Sequence, residues 1–184
     1  MSAGLLILLI LIVIPLIYVI VVYNRLITHK NRVKNAWSQI DVQLNRRYDL
    51  IPNLVEAVKG YMKHESETLE RVIQARAAAM GCTNVAQKSE ADNVLTGTLK
   101  SLFAVAEQYP NLKADKNVMQ LQEELTSTEN RISFARQHYN DSTMEYNIAI
   151  QAFPGNIIAG MFGFTLSDFF AVDDVKKEVP KVKF

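Results

Sequence analysis

His64-Glu65 begins as the helix of a zinc protease would, but that chemistry needs a second histidine four residues on, where Thr68 stands. A carboxylate-bridged di-metal bundle needs Glu-x-x-His pairs facing inward. Three residues before His138 stands Ala135, and three before His64 stands Tyr61. His29, the remaining histidine, lies close to a long apolar run, and all three read as surface or structurally satisfied side chains. Cys82 is the single cysteine, which excludes an internal disulfide and a cysteine metal cluster. With neither a glycine-rich phosphate loop nor a G-x-S-x-G elbow, the expectation is no catalytic residue, no cofactor and no metal site.

The unusual polar residues are those on or beside apolar helical stripes. Arg47 and Glu65 occupy stripe positions in the first half of the chain, and Glu129, Arg136 and Asn140 run beside a later seam. A buried polar group must be paired or it costs several kcal/mol. One reading is therefore a paired network that fixes helix register. The other is an exposed docking patch drawn from Asp41, Arg46, Arg47 and Asp49, with Glu129 and Arg136 belonging to whichever reading holds.

Helices must carry these groups. Val33, Trp37, Ile40, Leu44, Ile51, Leu54, Val58 and Tyr61 recur at helical steps, followed by Leu69 and Val72. Pro52 sits inside this pattern, yet the phase persists across it, so one kinked helix ending near Gly81 is favoured over two. A shorter helix follows, marked by Val94, Leu95, Leu102 and Tyr109 and closed by Pro110-Asn111. Then Val118, Leu121, Leu125, Thr128, Ile132, Ala135, Tyr139, Ser142, Tyr146, Ala149 and Phe153 step by three and four without a miss. A sustained seven-residue period predicts helices packed with a left-handed supercoil. The fold class expected is all-α: a single N-terminal transmembrane helix followed by an elongated antiparallel, up-and-down helical bundle.

Residues 5–23 hold no charged side chain, and all 20 Lys/Arg and 19 Asp/Glu residues follow them. At 1.5 Å per residue that run reaches ~28 Å as a helix, close to the hydrocarbon thickness of a bilayer. It fits a retained anchor better than a signal peptide: residues 1–4 carry no Lys or Arg, and the run exits through Tyr23-Asn24-Arg25 with no small-residue cleavage site. Arg25, Lys30, Arg32 and Lys34 follow with no acid among them. The positive-inside bias then places the N-terminus outside and the bundle in the cytoplasm of a cell-membrane protein. The same four side chains are expected to lie on anionic membrane lipid, each gaining about 1 kcal/mol. A net charge of +1 lacks the footprint of a nucleic-acid binder.

The organisation expected is a short N-terminal segment (1–4), a transmembrane helix (5–23), a basic juxtamembrane helix (24–36), a helical bundle (37–170) and a charged C-terminal tail (171–184), whose last six residues suggest an extended, docked end. No Gly or Pro interrupts the chain between Leu16 and Gln39, so the anchor can run straight into the first bundle helix. Within the bundle, residues 157–170 stand out for apolar density: Ile157, Ile158, Met161, Phe162, Phe164, Phe169 and Phe170. They read as a short capping helix, a subunit contact or a segment lying on the membrane surface. The favoured interaction is homo-oligomerisation through this segment together with the span.

The run from Ala36-Trp37-Ser38-Gln39-Ile40-Asp41 through Asn45-Arg46-Arg47-Tyr48-Asp49-Leu50-Ile51-Pro52-Asn53-Leu54-Val55 resembles the signature of the LemA family. So do Val58-Lys59-Gly60-Tyr61 with His64-Glu65, Ala75-Arg76-Ala77, Tyr109-Pro110-Asn111-Leu112, Thr128-Glu129-Asn130-Arg131-Ile132, and Tyr139-Asn140 with Tyr146-Asn147. The resemblance implies an up-and-down helical bundle on one N-terminal span, exposed to the cytoplasm. It also implies a membrane protein such as a protease among the partners to be sought. The function expected is a non-enzymatic membrane scaffold or adaptor that self-assembles. The alternative is a membrane-tethered sensor or enzyme accessory, for example an adaptor for a membrane protease.

Overall fold

A computed structural model describes residues 3–171, all of whose regular structure is helical. The expected terminal segment 1–4 begins, and the charged tail 171–184 almost wholly lies, outside these residues. The helices are α1 (Ala3–Lys59), α2 (Ser66–Gly81), α3 (Val85–Ala106), α4 (Pro110–Lys113), α5 (Lys116–Gln151) and α6 (Gly155–Met161). The described residues form two compact units: 3–39 with 137–168, and 40–136 with 169–171.

In the second unit the partner numbers give the topology. Along α1 and α3 they rise together, Asp41 with Lys88 and Arg47 with Asp92 and Thr96. Against α5 they run oppositely, Arg47 with Glu129 and, just past the end of α1, Tyr61 with Asp115. With α2 turning back between α1 and α3, the unit is an up-and-down four-helix arrangement. Its core is the interior of the helical stripes: Ile40, Leu44, Ile51, Leu54, Val58, Val72, Leu95, Leu102 and Ile132 are all buried.

Pro52 neither ends nor interrupts α1. Its missing amide would leave the carbonyl of Tyr48 without its helical partner, and the Nε of Arg76 on α2 donates to that oxygen at 2.7 Å. The helix expected to continue to Gly81 instead stops at Lys59, ahead of Gly60. The Val58 carbonyl there accepts both the Tyr61 and Met62 amides, each at 3.0 Å. Met62 becomes the buried residue of the turn and Tyr61 swings outward, its hydroxyl donating to Asp115 at 3.0 Å. Asn84 caps α3 by accepting from the Gln87 amide at 2.8 Å, and Asp115 caps α5 by accepting from the Asn117 amide at 2.8 Å.

In the first unit α1 and α5 are antiparallel: Trp37 packs on Tyr139 with centroids 5.7 Å apart, while Arg32 and His29 lie across from Glu145. The α5 stripe is inside from Val118 to Tyr146, but Phe153, its expected last member, is exposed because the helix has ended at Gln151. The chain turns there through a cis Phe153–Pro154 bond into α6, whose Gly155 allows a close approach: a Cβ at that position would lie 2.6 Å from the Ala149 carbonyl oxygen. Gly163, at φ +69°, redirects the chain into a non-helical strap along α5.

Candidate functional site

Two places collect the residues singled out by the sequence. The first is the end of the first unit that carries the apolar run. From Ile7 to Val21 α1 shows large apolar side chains on every side, Leu9, Leu11, Ile14, Ile17 and Ile20 among them, nearly all exposed to their surroundings. A helix apolar all round and unburied by protein fits a membrane anchor by length and composition.

The basic residues beyond it are placed individually. Lys30 lies over the Phe164 ring at 5.7 Å, Arg32 lies 3.7 Å from Glu145, and Arg25 and Lys34 are exposed. His29 is half-buried, its Nδ1 3.7 Å from Glu145. Burial, then the charges of Arg25 and Arg32, push its pKa below the usual histidine value, against the opposing pull of Glu145.

The apolar segment after α5 divides. Ile158 faces inward from α6, and Phe170 is buried in the second unit. Phe162 and Phe164 pack on Tyr23 at the end of the apolar run, with centroids 4.8 and 5.7 Å away. Ile157, Met161, Phe162 and Phe169 are largely exposed. Asn147 ties the strap to α5: its Nδ2 donates to the Ser167 carbonyl and its Oδ1 accepts from the Ser167 amide, both at 2.9 Å. The Tyr139 hydroxyl donates to the Asp168 carbonyl at 2.8 Å. A groove of about 510 Å³ lies between Tyr18, Val22 and Leu26 on α1 and Ile148, Ala152 and Phe153 opposite.

The second place is a buried ion cluster in the second unit. Arg47 on α1 points into the helices, donating through Nη1 to Asp92 at 2.9 Å and through Nη2 to Thr96 at 2.9 Å. The same Nη2 lies 2.9 Å from Glu129. Arg136 on α5 donates to the other oxygen of Asp92 and lies 4.9 Å over the Phe170 ring. Two guanidiniums and two carboxylates balance, which is what a charge cluster inside a bundle requires. Asp41 pairs with Lys88, whereas Arg46 and Asp49 are exposed.

The six polar candidates therefore separate: Arg47, Glu129 and Arg136 join one network, Asp41 a second ion pair, and Arg46 and Asp49 face solvent. Asp92, wholly buried, is the residue the sequence reading missed. A signal was present, because Asp92 falls in register with Leu95, Leu99 and Leu102 on the inner face of α3. Nearby Tyr48 is buried too, and its burial, reinforced by the charge of Asp92, raises its hydroxyl pKa. Enclosed between two arginines, Asp92 offers no surface to a substrate. Among the described residues, no group of three or more His, Cys, Asp and Glu side chains is placed to hold a metal ion.

The model of the LemA family matches residues 36–184. The chain belongs to the LemA family. That match begins with the helical stripe ahead of Arg47 and takes in every residue of the ion cluster. Among curated relatives, the chain is similar to Protein LemA of Metamycoplasma hominis, 30% identical over 141 residues that cover 74% of this chain and 63% of that protein. It is also similar to Magnetosome protein MamQ 2 of Paramagnetospirillum magneticum, 24% identical over 174 residues, with 80% of this chain and 64% of the relative covered. Magnetosome protein MamQ of Magnetospirillum gryphiswaldense is 23% identical over the same coverage. The chain thus spans a little under two thirds of the length of these relatives.

Proposed function

We propose that this LemA-family chain is a single-pass, membrane-anchored helical scaffold that works without catalysis and self-assembles at the cytoplasmic membrane. The observation that carries the reading is how the functional residue types are used. Apolar side chains of α1 are left outward along the length of a bilayer, while the charged groups on the inner helix faces neutralise one another. Arg47, Asp92, Glu129 and Arg136 hold helices together, so their chemistry is used within the fold. Helices held together by internal ion pairs are suited to presenting a surface rather than transforming a ligand. The magnetosome relatives support a membrane setting by their names, at low identity.

The first test is light scattering on the full-length protein in detergent, with detergent mass subtracted. A defined oligomer supports the scaffold, and a monomer across the concentration range rejects self-assembly. Orientation is tested with Cys82, the lone cysteine and a half-buried one. A membrane-impermeant maleimide should label it in lysed cells and leave it untouched in intact ones. Labelling of intact cells would place the bundle outside.

A further inference from the structure

We propose that the corner joining α5 to α6 is a second membrane contact, in which Phe153, Ile157, Met161 and Phe162 enter lipid beside the end of the α1 span. The proposal rests on the reading of residues 5–23 as the anchor and adds to it a surface that does not belong to the span.

Depth is the first argument. Glu145 stands across from His29 and Arg32, and α5 then runs six residues further to Gln151, antiparallel to α1. Six residues of helix are ~9 Å, which brings the end of α5 level with Asn24 and Arg25. Whatever follows Gln151 lies beside the last turns of the span. The packing of Phe162 on Tyr23, with centroids 4.8 Å apart, reaches the same level independently.

Exposure is the second. Phe153 is 80% exposed, Met161 72%, Ile157 55% and Phe162 52%, while their neighbours Ile158 and Ala159 are buried. On α6, Ile157 and Met161 are four residues apart and share the outer face, so the helix buries one apolar face and offers another. Val21 on the adjoining turn of α1 is also exposed, so the apolar surface of the corner continues that of the span. In water this continuous patch would carry a free-energy cost that grows with its apolar area. Against lipid that cost is absent.

Charge is the third. From Tyr146 to Ser167 the sequence has no Asp, Glu, Lys or Arg, although one residue in five across the chain is charged (21%). Lys30 sits over Phe164 at the upper margin of the patch, and Arg25, Arg32 and Lys34 lie on the neighbouring turns of α1. Aromatic side chains below and basic ones above is the pattern of a membrane–water interface. The strap sets the depth: its non-helical backbone cannot enter the hydrocarbon core, so the corner belongs at the headgroup and acyl boundary, roughly 5–10 Å in.

The test uses single-tryptophan forms of the full-length chain, with Trp37→Phe as background, in phosphatidylcholine–phosphatidylglycerol vesicles. The lipids carry bromine either near the headgroup end or near the tail end of the acyl chains. F153W and F162W should lose most of their emission to the shallow bromines and less to the deep ones. I14W, within the span, reports the anchor, and F134W, on an exposed position of α5, reports water. Quenching of I14W with F153W and F162W untouched would overturn the contact and leave the anchor intact; an unquenched I14W would overturn the anchor as well. Blue-shifted but unquenched F153W emission would assign the corner to a second copy of the chain and also overturn the proposal. Because Trp37 packs on Tyr139, the same substitutions are made with Trp37 retained and the parent's signal subtracted, so a folding defect of the background leaves the outcome readable.

Discussion

The Nε of Arg76 donates to the carbonyl oxygen of Tyr48 at 2.7 Å, in the place the absent amide of Pro52 would have filled. A proline in mid-helix is thereby turned into a tie between α1 and α2. Arg76→Leu should leave a partly buried carbonyl without a donor and cost about 1–3 kcal/mol. Adding Pro52→Ala to that variant restores a local amide and should recover part of the loss. Thermal unfolding of the four forms as a double-mutant cycle checks it; additive effects would show that the two sites act independently.

Removing the side chain of Arg47 leaves Glu129 without its ion partner and the wholly buried Asp92 with Arg136 alone. Arg47→Ala is expected to destabilise the protein by about 3–5 kcal/mol. Arg46→Ala, at an exposed neighbour on the same helix, should change stability by less than about 0.5 kcal/mol. If Arg47→Ala kept its melting temperature but lost a partner in pull-down, Arg47 would be a docking residue instead.

His29 gives the first unit a pH dependence of defined sign. Its native pKa lies below the ordinary histidine value of about 6.5, through burial and the nearby Arg25 and Arg32. As pH falls through about 6.5 the unfolded chain takes up the proton more readily than the folded one, so stability declines into acid. In a non-ionic detergent, His29→Gln should lose less melting temperature between about pH 7.5 and 5.5 than the parent. Glu145→Gln, which removes the one opposing charge, should lose more.

Gly155 and Gly160 make a matched pair on α6. A Cβ at 155 meets the Ala149 carbonyl oxygen at 2.6 Å, whereas at 160 nothing lies within 4 Å. Gly155→Ala should therefore cost about 1–3 kcal/mol as an overpacking change. Gly160→Ala should be neutral or slightly stabilising, through its effect on the unfolded chain. Equal melting temperatures for the two variants would contradict the close approach at the corner.

Periodicity makes most of the fold legible in the sequence. The stripes from Val33 to Val58 and from Val118 to Tyr146 are inside where they were expected, because burial of one helix face is a local pattern that survives in sequence. The break at Gly60 was obscured by Pro52, the stronger local signal for a stop, which Arg76 neutralises from a different helix. Asp92 was hidden for a similar reason. Its partners lie 45 and 44 residues away, and only its register with three leucines marked it. Phe153 continued a stripe by spacing alone, although the helix beneath it had ended. The apolar density of residues 157–170 was plain, but the split between buried Ile158 and Phe170 and outward Ile157 and Met161 depends on a turn that composition does not encode.

Asn147 meets the strap as a neighbouring β-strand would, with one donor and one acceptor aligned on the amide and carbonyl of Ser167. A side chain therefore supplies a single rung of a ladder in a protein without sheets among its described residues. An extended segment usually advertises its unpaired backbone to other chains, and edge-to-edge recruitment is how such segments aggregate. At Ser167 that invitation is already answered from within, leaving the strap's side chains, not its main chain, to meet whatever lies beside it.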